Sequence, residues 1–372
     1  MDATQNKPTP VVSTANNPKT ILSLPTVRDD INLFLDDHFR QQTARAANLH
    51  SDYQFLWEAT TTQFEAGGKR FRPFLCVLVY QILGGSDYKN IVPIASALEL
   101  LHIAVLMHDD IIDRDYTRHG KPNLAGTYRT HYSAFLTDEA EATHFAHGAA
   151  ILAGDLLISD AYQLIINSPI SAEQRLQTAR LLGEAVYDVS AGELLDTEAA
   201  FYPPDYADSL KIAELKTAFY TCSIPMAIGA TLAGADATVI GLLRHMGSAL
   251  GIAFQMADDL LGVFGSERLT GKTTIGDLRE GKRTYLLQRT LHLADDSQKL
   301  ILESIVGNPD CNDAMVETAR QMMIDCGARA EIETLMVTYV EQANGYVAML
   351  PIEEVYKDKL RDFIDQAVWR NS

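Results

Sequence analysis

Residues 94–115 read IASALELLHIAVLMHDDIIDRD, a long apolar run that ends in Asp109, Asp110 and Asp113. Its Ala and Leu content and its lack of Gly or Pro predict a helix. At about 100° per residue Asp109 and Asp113 fall on one face, and His102, seven positions earlier, lies near the same line. Carboxylates stacked at that spacing repel each other, so the pair is stabilised by a cation between them. A charge run is ordinarily a solvated face. Here, however, the residues leading in are apolar nearly all round, as in a buried helix. The stretch 251–265, GIAFQMADDLLGVFG, repeats the arrangement with Asp258, Asp259 and, one turn earlier, Gln255. Two buried helices that each carry paired carboxylates predict a shared metal site.

The chain has 372 residues, 47% of them apolar, enough to bury a large core. A net charge of −18 excludes nucleic acid as an expected partner, because a polyanion needs a basic face. Cys76, Cys222, Cys311 and Cys326 lie far apart, which indicates neither a disulfide framework nor a zinc site, and the expected compartment is a reducing cytoplasm. Residues 1–27 are rich in Asn, Thr, Pro and Lys and read as a disordered tail, neither signal peptide nor anchor. The longest apolar run is broken by Glu99 and His102, short of the roughly 18 residues of a spanning helix, so no transmembrane segment is expected.

From residue 28 onward apolar residues recur at three and four, and alternating strand patterns bounded by turns are absent. The expected fold is all-α, one helical domain over 28–372, with breaks at Gly67–Gly68, Gly84–Gly85, Gly120–Pro122, Asn167–Pro169, Pro203–Pro204, Gly234 and Gly265–Gly281. Residues 123–148 are polar and irregular and receive no assignment, although His144 and His147 have a spacing that could bind metal. Asp155, in the apolar stretch 149–166, reads as a structural acid in the core.

Several stretches add cations and polar groups. In AGGKRFRP (66–73), Lys69, Arg70 and Arg72 form a compact basic cluster suited to phosphate oxygens, although a helix cap with dipole-complementing charges would look the same. After Asp113 the loop carries Arg114, Arg118, His119 and Lys121, cations that a metal-bound diphosphate needs because the ions neutralise only part of its charge. VSAGELLDT (189–197) and AELKTAFY (213–220) place polar groups in apolar helices. Lys216 either snorkels to water or, with Thr217, offers a charge and a hydroxyl to a phosphate. GSERLTGKT (265–273) imitates a Walker A loop, but five residues separate its glycines where the P-loop has four, and a helix precedes it. With Lys272, Lys282 and Arg283 it reads as a flexible basic lid over an anionic ligand.

Together these motifs resemble the trans-isoprenyl diphosphate synthases, the polyprenyl synthetase family, from about residue 30 to the C-terminus. HDDIID resembles the family's first aspartate-rich motif, which implies Asp109 and Asp113 as magnesium ligands; FQMADD resembles the second, with Asp258 on a further ion. The resemblance implies a catalytic set of Asp109, Asp110, Asp113, Lys216, Gln255, Asp258 and Asp259, with Mg2+ as cofactor, three ions per site. It assigns Lys69, Arg72, His102 and His119 to isopentenyl diphosphate, and Arg118, Lys216, Thr217, Gln255, Lys272 and Lys282 to the allylic diphosphate. The family commonly has a second arginine where this chain has His119, and many members have a third aspartate where it has Gly262. What the family implies is a helical bundle around a central cavity, usually a homodimer. In its reaction an allylic diphosphate ionises and the double bond of isopentenyl diphosphate attacks the resulting cation.

One reading competes within this chemistry, a terpene cyclase, which binds one diphosphate, and one comes from another class, a non-catalytic partner subunit that modulates another synthase. The basic cluster at 69–72 and His102 favour two diphosphate sites, and the intact carboxylates favour catalysis. A magnesium phosphohydrolase is the third alternative. Val105 sits one turn before Asp109, with Ala104 beside it and Leu101 a further turn down, so a chain anchored at the aspartates passes these side chains. In the family, enzymes that stop at fifteen carbons often carry an aromatic residue four or five positions before the first aspartate. Val105 and Ala104 leave that path open, which implies geranylgeranyl diphosphate as product, with farnesyl and longer-chain diphosphates as alternatives.

Overall fold

A computed structural model of the protein describes residues 21–118, 120–199, 201–202, 208–265, 278–279 and 281–369. Among these, the chain runs through α1 (Leu24–Ala47), α2 (Ser51–Glu65), α3 (Phe71–Ile82), α4 (Tyr88–Ile112), α5 (Leu124–Tyr132), α6 (Glu139–Ile166), α7 (Ala172–Ala199) and the short α8 (Ser209–Ile212). A π-helical segment (Ala213–Ser223) leads into α9 (Ile224–Leu232) and α10 (Ala237–Phe264). The C-terminal part is α11 (Tyr285–Leu293), α12 (Asp296–Ile305), α13 (Asp313–Asp325), α14 (Ala328–Met349) and α15 (Glu354–Val368). The β-structure among the described residues is a two-stranded hairpin, β1 (Thr117–Arg118) with β2 (Lys121–Pro122), in antiparallel register Thr117 with Pro122 and Arg118 with Lys121. The expected all-α class holds.

Local chemistry starts the long helices. Asp138 caps α6 by accepting from the Glu141 amide, and Glu139 and Glu141 in its first turn complement the helix dipole. Asp236 caps α10 through the Val239 amide. Packing then fixes their positions. Small residues of α6, among them Ala146, Ala150, Ala153 and Gly154, are buried and let it approach α4 closely. A Cβ on Gly154 would lie 2.2 Å from the imidazole of His108, beside the first aspartate. Buried side chains from Val27 to Val368 form one continuous core cluster. Fully buried members such as Leu75, Ile94, Leu100 and Leu157 each contribute roughly 1.5–3 kcal/mol of burial.

Four expectations need correction. The first described helix begins at Leu24 and Val27 is fully buried, so the folded region starts inside the stretch read as a tail. Residues 123–148 form α5 and the first turns of α6, where capping by Asn123 and Asp138 substitutes for a clear apolar period. Asp155 is exposed, its carboxylate 3.8 Å from His108, because the apolar residues around it in sequence share an outward face with it. Finally, α4, α6 and α10 are each long and apolar enough to cross a membrane by length and composition. Mean hydropathy does not separate a spanning helix from one buried in protein, and α4 with 67% of its most apolar window buried uses that surface to pack.

Candidate active site

The aspartates at the end of α4 face the C-terminal turns of α7 and the π-helical segment. Asp109 lies 3.2 Å from the Lys216 ammonium, which also meets Glu193 at 2.9 Å and Asp196 at 2.6 Å. Burial alone would lower the Lys216 pKa, but the carboxylates of Asp196, Asp109 and Glu193 outweigh it and hold the ammonium above the ordinary lysine range. The cost falls on the acids. Burial, opposed by Lys216, pushes Glu193 up to about 7, and desolvation followed by the Asp109 charge pushes Asp113 up to about 6.

The loop after α4 folds back onto the same aspartates. Asn123, fully buried, donates to the Asp115 carbonyl at 2.7 Å and accepts from the Gly126 amide at 2.9 Å, closing the hairpin whose turn includes Gly120 in the left-handed region. Arg118, on β1, thereby donates to Asp110 through Nε at 2.9 Å and reaches Asp109 at 3.3 Å. Burial raises the Asp110 carboxyl, an effect that Arg118 opposes.

The second aspartate pair is tied in through the π-helical segment. Gln255 donates to Asp259 at 2.8 Å and accepts from the Thr217 hydroxyl at 2.7 Å, one residue from Lys216. Asp258 stands beside them on the exposed side of α10. Long π-helical stretches are rare and cluster at functional sites. Here the widened turn is wedged between helices at glycines: Cβ atoms would come within 2.3 Å of the Lys216 amide from Gly192, 2.4 Å of the Ala218 Cα from Gly251 and 2.6 Å of the Ser223 Cα from Gly247. Small residues at these three points let α7 and α10 close on the segment's backbone.

The basic cluster at 69–72 divides. Arg70 takes a left-handed backbone conformation (φ 51°) at the start of α3 and points inward, its side chain 4% exposed. It pairs with Glu99 of α4 at 2.8 Å, and donates to Asn32 of α1 at 2.8 Å and to the Phe64 carbonyl of α2 at 3.1 Å. Arg70 therefore locks four helices together and is removed from any phosphate, a correction to its reading as a member of the cluster. Lys69 is exposed. Arg72 faces the π-helical segment, donating to Thr221 at 2.7 Å with its guanidinium 4.3 Å over the Tyr220 ring. The Tyr220 hydroxyl lies 3.5 Å from His102 Nδ1. Burial, then Arg72, Arg118 and Arg70, holds His102 well below the usual imidazole pKa, so it is neutral near pH 7.

Of the residues singled out in the sequence, Asp109, Asp110, Asp113, Arg118 and Lys216 join one charged cluster; Thr217, Gln255 and Asp259 form a hydrogen-bonded chain that starts at the residue after Lys216, with Asp258 next to Asp259; and Arg72 and His102 form a third group on the same π-helical segment. His119 and Lys272 lie outside the described residues, and Lys282 opens the stretch before α11. Of the residues expected along the product path, Leu101 and Ala104 are buried, while Val105 keeps part of its surface. Glu193, Asp196, Tyr220 and Thr221 were not assigned roles from sequence. The signal for the first two was present: carboxylates one turn apart directly after Gly192, flanking the apolar pair Leu194–Leu195.

Ligand oxygens of Asp109, Asp113 and Glu193 lie within 4.8 Å of one another. Adjacent oxygens on one octahedral magnesium ion are roughly 3 Å apart, given bonds of about 2.1 Å, so a closure of up to about 2 Å or an intervening water fits the ion. The donor set, all oxygen and all anionic, suits a hard divalent cation. Held there with a diphosphate, such ions would neutralise the leaving group.

Comparison with known proteins agrees with this geometry. Residues 53–323 match the family model described as polyprenyl synthetase. The chain is 32% identical over 314 residues to a geranylfarnesyl diphosphate synthase of Aeropyrum pernix, covering 82% of this chain and 91% of that one. It is 32% identical over 268 residues to a geranylgeranyl diphosphate synthase of Sulfolobus acidocaldarius, covering 70% and 74% respectively. A crystal structure of a geranylgeranyl pyrophosphate synthase from Corynebacterium glutamicum, complexed with isoprenyl diphosphate and magnesium, superposes with a TM-score of 0.83 at 28% identity, covering 94% of this chain and 98% of that one. With a family model matched over most of its length and relatives of this similarity, the chain is a prenyltransferase and belongs to the polyprenyl synthetase family.

Proposed function

We propose that the protein condenses isopentenyl diphosphate with an allylic diphosphate to give a trans-polyprenyl diphosphate, with geranylgeranyl diphosphate, of twenty carbons, as its principal product. The observation that carries this reading is the division of one π-helical face between two cationic groups: Lys216 among the α4 and α7 carboxylates, and Arg72 with His102, Tyr220 and Thr221 farther along. A cyclase needs one diphosphate site; two support condensation.

In this reading Lys216, Thr217, Arg118 and Lys282, with Lys272 of the 265–281 stretch, bind and orient the allylic diphosphate, while Lys69, Arg72 and His102 hold isopentenyl diphosphate, with His119 as a further contact. Magnesium ions on Asp109, Asp113 and Asp258, three in all, supply the charge that lets the allylic carbon–oxygen bond ionise. Leu101, Ala104 and Val105 line the path of the growing chain and exclude water from the carbocation. The region from Leu24 to Trp369 acts as one domain. Exposed Ile151 and Leu152 on α6 and Tyr187 and Leu194 on α7 support a homodimer across that apolar face. Free cysteines, three of them buried, support a cytoplasmic setting.

Incubation of the pure protein with isopentenyl and farnesyl diphosphates and magnesium, followed by product chromatography, tests the proposal. Geranylgeranyl diphosphate is expected; a cyclic hydrocarbon or released phosphate without elongation would overturn it. Asp109→Ala and Asp258→Ala should each cut turnover by orders of magnitude with the helical circular dichroism intact. Full activity in excess chelator would refute the metal requirement.

A further inference from the structure

The cluster under the first aspartate motif is short of positive charge. Asp109, Glu193 and Asp196 gather around the Lys216 ammonium with Asp113 beside them; Lys282 adds positive charge near Asp113, and Arg118 reaches Asp109 and otherwise serves Asp110. Glu193 is the member whose position sequence motifs do not explain. Its side chain is 14% exposed, and the partner of its Oε2 is the Lys216 ammonium at 2.9 Å, which Asp109 and Asp196 share. A carboxylate in such a place costs several kcal/mol unless a cation answers it. Gly192, packed on the Lys216 backbone, fixes where Glu193 projects, on α7 across from α4. Its carboxylate oxygen falls within 4.8 Å of ligand oxygens on both Asp109 and Asp113. The proposed binding of a diphosphate by Lys216 would draw the ammonium away from Glu193, whose ion pair is with that ammonium.

Resting on the functional reading above, we propose that Glu193 is a further ligand, direct or through one water, of the magnesium ion held by Asp109 and Asp113. The ion would then be bound from both walls of the site, by α4 and by α7, and the Lys216 ammonium occupies the middle of this carboxylate set until the diphosphate arrives. Asp196 has a different part. It makes the shortest contact to Lys216 but does not join the three ligand oxygens, so it positions the ammonium.

The test measures Mn2+ binding by electron paramagnetic resonance on the full-length protein, with inorganic pyrophosphate present, in wild type, Glu193→Gln, Glu193→Asp and Asp196→Asn. Glu193→Gln, close to isosteric, should weaken Mn2+ binding by ~10-fold or more, the scale on which metal affinity answers to the residues around the ligands. Glu193→Asp should fall between it and wild type, and Asp196→Asn should change affinity by less than ~3-fold. Equal or tighter Mn2+ binding in Glu193→Gln would overturn the proposal. So would equal losses in Glu193→Gln and Asp196→Asn, which would assign the effect to net charge. Should Glu193→Gln not fold, parity of Glu193→Asp with wild type would overturn it instead. Failure of the wild type to bind Mn2+ with pyrophosphate would sink the metal reading of the whole site, an outcome distinct from these.

Discussion

Gly192 of α7 rests directly on the backbone of Lys216: a Cβ at Gly192 would lie 2.3 Å from the Lys216 amide nitrogen and 2.7 Å from its Cα. One missing methyl group thus sets the distance between the α7 carboxylates and the ammonium they share. Gly192→Ala should force the π-helical segment outward, costing about 1–3 kcal/mol of stability by overpacking. Turnover should fall by ~100-fold, since a displacement of about 1 Å is enough to misplace a substrate-orienting charge. Thermal melting and kcat/KM for both substrates check the pair; a stable variant with wild-type turnover would show that the close approach is dispensable.

Arg70 and Arg72 are two residues apart and should fail differently. Arg70→Ala leaves Glu99 buried without its partner, at a cost of about 3–5 kcal/mol read by denaturant unfolding. Arg72→Ala should leave stability nearly unchanged and raise the apparent KM for isopentenyl diphosphate far more than for the allylic substrate, with Lys216→Ala doing the reverse. Equal KM effects of Arg72→Ala and Lys216→Ala on both substrates would contradict the division into two sites.

Product length should respond to Val105, which keeps some surface, more cleanly than to Ala104, which has none. Val105→Phe should shift the product from twenty carbons toward farnesyl diphosphate, because a ring and an isoprene unit compete for one space. Ala104→Phe should first cost about 1–3 kcal/mol of stability through overpacking. Chromatography of the products, with a melting curve for each variant, decides this. A wild type that stops at fifteen carbons, or unaltered length in Val105→Phe, would remove the pocket from this face.

The pH dependence of the metal-free chain follows from Glu193. Its ordinary value of 4.5 rises to about 7 through burial, with Lys216 opposing, so between those values the folded state holds more protons than the unfolded state. Stability from this group is therefore fully present below the unfolded value and is lost as pH rises through about 7. In excess chelator the melting temperature should decline from pH 5 to pH 8, and Glu193→Gln should flatten the decline. An identical slope in the variant would show that other groups govern it.

The sequence by itself determined the helical class, the two aspartate pairs, the lysine and threonine of the π-helical segment and the family they jointly resemble. These are properties of spacing: a period of three to four fixes which side chains share a helix face wherever the helix goes. Tertiary structure alone decided which charges meet. Lys69, Arg70 and Arg72 read as one cluster, until the left-handed turn at Arg70 sends its side chain into the core between α1, α2 and α4. Glu193 and Asp196 read as polar interruptions of α7 until Gly192 brings them onto Lys216. The π-helical register of 213–223 has no local signature, because it is imposed by α7 and α10 closing on the segment at Gly192, Gly247 and Gly251. Contacts made between elements distant in sequence leave no period within either element, and for that reason only the packed chain reveals them.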